Sequence, residues 1–137
     1  MTGKERLGLN VNGYSFFLNN TPVKTFSLGQ TEVLLGESDH LWAYIFSASS
    51  QELSSLLPEI MGETLYFAAV EEWVYALLKK KRRVEWALKT DRFLFPEKGR
   101  VEAPELPVDH LRREDAETIF EESGYQAYTD VSYIRER

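Results

Sequence analysis

The chain is 137 residues long, enough for one domain with a real core, and its 43% hydrophobic and 13% aromatic content is that of a globular protein rather than a disordered one. A net charge of −6 works against general nucleic-acid binding, because an acidic chain gains nothing from counterion release on a phosphate backbone. The absence of cysteine excludes disulfides, thiolate zinc sites and thiol nucleophiles.

Residues 1–6 are polar and charged and no sustained apolar run follows them, which is neither a secretory signal nor a membrane anchor. The residues before about Gly13 read as a loose leader. No stretch approaches the roughly 20 apolar residues needed to span a bilayer. The expected location is therefore cytoplasmic, with no membrane partner. Residues 14–18 are aromatic-rich and end in a turn at Asn19, Asn20, Thr21 and Pro22. Two β-like runs follow, at 32–36 and 41–48, and the polar residues 37–40 between them predict a hairpin.

Ser49 and Glu52 have the spacing of a capping box, and Leu53, Leu56, Leu57 and Ile60 then share one helical face. Pro58 predicts a kink or an early end, and Gly62 a stop. Residues 64–69 read as a buried strand. A second helix is expected over 70–82, with Val70, Trp73, Val74, Leu77 and Leu78 as its inward stripe, acidic residues first and a basic run 79–83 last. The alternation of Val84, Trp86 and Leu88 with polar residues predicts a half-exposed strand, resuming through Phe93 and Phe95. Pro96, Gly99, Pro104 and Pro107 mark a linker. Beyond it, 113–123 reads as a helix with Ala116, Ile119 and Phe120 inward and Gly124 as its stop, and 130–137 as a second short helical segment.

This order predicts an α+β fold: a small mixed sheet with helices on one side, then a linker and two short helices. The expected division is an N-terminal domain over 1–95, a linker over 96–108 and a terminal segment over 109–137.

Candidate chemistry is sparse. His40 follows Asp39 and His110 follows Asp109, but sequence neighbours cannot share a helix face and no third ligand has metal spacing, so both histidines are expected in turns or caps. No catalytic, metal or cofactor-binding residue is assigned. The run 79–83 reads as a solvated helix end that could still attract a phosphate. The carboxylates Glu114, Asp115, Glu117, Glu121 and Glu122 read as an exposed helix face. Trp42, Trp73 and Trp86, with Tyr44, Phe46, Tyr66 and Phe67, are expected mainly in the core. None of the eight glycines is followed two positions later by Gly or Ala, so no dinucleotide fingerprint is present.

The stretch beginning at Leu111 has the form L-x-x-E-D-A-E-x-I, with Tyr125, Tyr128, Val131, Tyr133 and Ile134 after it. It resembles the opening of the catalytic domain in the GNAT N-acetyltransferase superfamily, in the two-domain branch related to glycine N-acyltransferases. That branch carries an N-terminal domain of alternating short strands and helices, which residues 14–95 match in size and order. The resemblance implies acetyl-CoA as cofactor of a full-length relative and places Tyr125 and Tyr128 on its acceptor-substrate side. The superfamily's Gln/Arg-x-x-Gly-x-Gly/Ala signature is not present in this chain, so the resemblance implies a fragment or truncated relative with no cofactor site of its own. It also implies an uncovered apolar stripe over 111–137, which a two-fold homodimer would close. The alternative expectation is a free-standing protein-interaction module without enzymatic activity.

Overall fold

The computed structural model describes residues 1–93, 107 and 109–124; Phe95, the expected linker apart from Pro107, and residues 125–137, with Tyr125 and Tyr128, lie outside these. The chain divides into two compact units, Met1–Glu85 and Trp86–Arg137.

In the first unit the elements run α1 (Gly3–Leu9), α2 (Val11–Phe17), β1 (Lys24–Leu28), β2 (Thr31–Glu37), β3 (Leu41–Phe46), α3 (Ser50–Glu63), β4 (Tyr66–Ala68) and α4 (Glu72–Lys81). The sheet order is β1-β2-β3-β4, with β1, β2 and β3 antiparallel and β3 parallel to β4. The fold is α+β with a mixed sheet, as the sequence predicts. Helices cover both faces of that sheet, however, rather than one.

On one face Phe26, Val33, Leu35, Ala43 and Ile45 pack beneath Leu53, Leu56, Leu57 and Ile60 of α3 and Val74 and Leu78 of α4. On the other, Leu34, Tyr44 and Phe46 pack beneath Leu9, Tyr14, Phe16 and Phe17 from α1 and α2. Register explains the sorting: Val33 opposes Ile45 and Leu35 opposes Ala43, while Leu34 opposes Tyr44 on the reverse side. A strand covered on both sides needs apolar residues at successive positions, and β2 is buried without a break from Val33 to Gly36.

The expected leader is two helices. Thr2 caps α1, accepting from the Glu5 N–H at 3.3 Å while the Glu5 carboxylate accepts from the Thr2 N–H at 2.5 Å. Asn10 ends α1 and begins α2, accepting from the Gly13 N–H at 2.9 Å and donating to the Ile45 carbonyl at 3.1 Å. Arg6 makes two parallel hydrogen bonds to Glu32 on β2, at 2.8 and 2.7 Å, which ties α1 to the sheet. Gly13 permits the close seating of α2: a Cβ there would stand 2.7 Å from Phe46 Cζ and 3.2 Å from Tyr44 Cβ.

β1 is a strand the sequence reading did not isolate. It is an edge strand with Phe26 as its one buried residue, so its apolar signal is slight. Gly29, at φ +57°, starts the two-residue turn from β1 to β2.

Only half of the expected capping box forms on α3. Ser49 Oγ accepts from the Glu52 N–H at 3.3 Å, but the Glu52 carboxylate serves the β1–β2 turn instead. It accepts from the Gln30 N–H at 3.0 Å and from Thr31 Oγ1 at 2.9 Å, and Ser47 Oγ takes the Ser49 N–H at 3.1 Å. Pro58 does not end α3, which continues past Gly62 to Glu63. An interior proline costs about 3 kcal/mol. Burying Leu53, Leu56, Leu57 and Ile60, at roughly 1.5–3 kcal/mol each, outweighs it. Pro58 is also exposed, so water can reach the Ser54 carbonyl that loses its partner.

β4 is half-buried and shorter than expected, starting at Tyr66, and α4 begins at Glu72. In α4 only Val74 and Leu78 of the predicted stripe are buried; Trp73 is 36% exposed, turned to the flank of the helix. No strand forms over 84–88, where Trp86 and Leu88 are nearly half exposed. Alternation makes a strand only where a sheet edge takes up its backbone hydrogen bonds. The predicted terminal helix is present as a 3-10 turn, Arg113–Asp115, running into α5 (Ala116–Glu122), with Ala116 buried, Ile119 and Phe120 half-buried and Gly124 at φ +74° after it.

Candidate binding surface

Two surfaces of the first unit present unusual side chains. The first is the β2–β3 turn and the start of β4. His40 lies flat on Tyr66, with ring centroids 4.1 Å apart and planes 10° from parallel, and Trp42 meets the Tyr66 edge at 5.3 Å. Parallel pairing of β3 with β4 puts Trp42 opposite Tyr66, and Thr64 fixes the approach by donating to the Leu41 carbonyl and accepting the Tyr66 N–H. The Trp42 indole donates to Asp39 at 2.8 Å, and Ser38 donates to the same oxygen at 2.9 Å.

Burial pushes the Asp39 carboxyl up, but the hydrogen bonds from Trp42, Ser38 and the backbone N–H groups of His40 and Asp39 outweigh it and hold the carboxyl below the usual carboxylate range. A depressed folded-state pKa stabilises the fold above the unfolded value and loses that stabilisation as pH falls through the folded one. The turn is therefore expected to loosen only on strong acidification. The Trp42 indole N–H resonance should move below about pH 4, near the unperturbed carboxylate value, and Asp39→Asn should abolish that movement. An indole resonance that titrates alike in both proteins would refute the pairing.

The second surface is the seam between α3 and α4. A groove of about 550 Å³ opens there, with Ser50, Ser54 and Ser55 on the α3 wall and Trp73, Leu77 and Lys80 on the α4 wall. Further along the same seam a smaller hollow of about 310 Å³ is floored by Leu57, Pro58 and Met61, beside Lys81 and Arg82. Lys79, Lys80, Lys81, Arg82 and Arg83 are all exposed and none makes an ion pair among the described residues. Lys79 leans over the Tyr75 ring at 4.6 Å. Arg6 and Lys24, by contrast, are paired with Glu32 and Glu63.

The other sequence candidates do not converge. His40 is stacked in a turn and His110 is exposed, its backbone N–H donating to the Asp109 carboxylate at 2.8 Å. Among the described residues no three His, Cys, Asp or Glu side chains are placed to hold a metal ion. Of the aromatic set, Tyr44 and Phe46 are core, Trp42, Tyr66 and Phe67 are half-buried, and Trp73 and Trp86 are exposed. Tyr125 and Tyr128 lie outside the described residues. No described helix is long and apolar enough to cross a membrane. No family model, curated protein or solved structure matches the chain.

Proposed function

We propose that this chain is the N-terminal, non-catalytic portion of a GNAT-type N-acyltransferase, in which the α+β unit shapes acceptor binding or assembly. The observation that carries the reading is the helix beneath the L-x-x-E-D-A-E-x-I motif. Its Glu114 and Asp115 lie in the 3-10 turn Arg113–Asp115, and on α5 its Ala116 is buried and its Ile119 half-buried. The division after Glu85 supports it too, since a separately packed unit precedes the motif. Acetyl-CoA binding then belongs to residues other than these, because pyrophosphate recognition needs a glycine turn that lets several backbone N–H groups face one anion.

The native polypeptide is the proper test object. Antibodies to Met1–Glu85 should capture from its cells a protein that is retained on immobilised coenzyme A and released by acetyl-CoA, whereas the 137-residue chain passes through. A native polypeptide no heavier than 137 residues that also passes through would overturn the acyltransferase reading in favour of a free-standing interaction module.

A further inference from the structure

We propose that the α3–α4 seam is a docking site for an acidic peptide segment of a protein partner, one that sets an apolar side chain beside Trp73 and its carboxylates against Lys80, Lys81 and Arg82. The inference does not depend on the acyltransferase reading. Three observations on this one face support it.

The first is charge. The only other cations of Met1–Glu85 are Lys4, Arg6 and Lys24, and the last two are already held by carboxylates. The cationic potential of the unit is thus gathered at the end of α4, on side chains that make no ion pair among the described residues. The helix dipole favours cations within its last turn, here Lys79 to Lys81; Arg82 and Arg83 continue the run past the end of α4. An acidic ligand supplies the missing countercharge.

The second is shape. The two hollows lie along one seam, the upper flanked by Trp73 and Lys80 and the lower by Pro58 and Arg82. Such a groove between packed helices takes an extended or helical segment with apolar anchors at intervals. The α3 wall helps, because Ser50, Ser54 and Ser55 are small and let a backbone approach closely.

The third is Trp73 itself. It sits next to the buried Val74 yet keeps 36% of its surface exposed beside the groove. Tryptophan and cationic side chains around a shallow pocket are the composition of binding hot spots. A peptide is favoured over nucleic acid or an anionic membrane because the remainder of the chain is acidic and repels an extended polyanion.

The test uses the full chain and a phage-displayed library of random short peptides. Selection on the wild-type chain, with counter-selection on Lys80→Glu/Lys81→Glu/Arg82→Glu, should enrich peptides that combine Asp or Glu with an aromatic or large aliphatic residue. Synthesised with a fluorophore, such a peptide should lose at least about tenfold in affinity against the charge-reversed chain and a similar factor against Trp73→Ala. The charge reversal alters exposed side chains, so its urea midpoint should stay near wild type. Trp73→Ala removes a side chain only 36% exposed and should lower the midpoint. Its affinity is therefore compared in buffer without urea, where its circular dichroism should match that of wild type. Backbone amide shifts of the unaltered chain, titrated with the peptide, should move over residues 50–62 and 73–82. No enrichment, or shifts elsewhere, would overturn the proposal. So would binding by single-stranded DNA or phosphatidylserine vesicles as strong as by the peptide, since that marks a patch for any polyanion.

Discussion

Phe46→Ala is expected to destabilise the fold by about 3–5 kcal/mol, a large share of the roughly 5–15 kcal/mol that holds a domain of this size together. Phe46 is fully buried at the end of β3, beside Leu34 and Tyr44, beneath the N-terminal helices. The Arg6 guanidinium lies 5.9 Å from its ring centre, and its Cζ faces Gly13 closely enough that a Cβ there would clash. Removing the ring leaves a cavity that the sheet backbone cannot close and that α2 could fill only by leaving its seat. The measurement is the urea midpoint, with Phe93→Ala as control because Phe93 is 90% exposed. Equal midpoints for the two variants would mean that α2 does not pack on this face.

What could be read from the sequence follows how local each signal is. The α3 face of Leu53, Leu56, Leu57 and Ile60 was legible because four apolar residues at helical spacing outweigh one proline. The β2–β3 hairpin was legible because two apolar runs bracket a polar turn. Glu52 shows the limit. Its spacing from Ser49 announces a capping box, yet the carboxylate is taken by Gln30 and Thr31, a turn some twenty residues earlier that local spacing cannot reveal. Trp73 shows another: a five-residue stripe is wider than the sheet can cover, so its edge becomes surface. The run from Val33 to Gly36 has no polar alternate, and such a strand has a cover on each side, as the unbroken burial of β2 there shows. Of the candidate surface, the run 79–83 was visible as charge. Its place along a groove was not, because the groove exists only once α3 and α4 pack.

The second large effect concerns the N-terminal helices themselves. Glycines at 3, 8 and 13 and asparagines at 10 and 12 are poor helix formers, so local propensity favours no helix over residues 1–13. Tertiary contacts override that propensity. Thr2 and Glu5 close a capping box, Asn10 bonds the Ile45 carbonyl, and Leu9, Tyr14, Phe16 and Phe17 cover Leu34, Tyr44 and Phe46. A chain lacking residues 1–17 would therefore present an aromatic sheet face to water, with the β2 and β3 residues on it stripped of their cover. Such a chain is expected to lose cooperative unfolding and to bind a hydrophobic dye or aggregate, a larger change than any single substitution brings. Gly13→Val should act in the same direction but less strongly, by about 1–3 kcal/mol, because the added methyl groups meet Phe46 and Tyr44 and push α2 outward without removing it. The order of urea midpoints should then be wild type, Gly13→Val and, lowest or without a transition at all, the truncated chain. A truncated chain that unfolds at the wild-type midpoint would show that the first seventeen residues cover nothing.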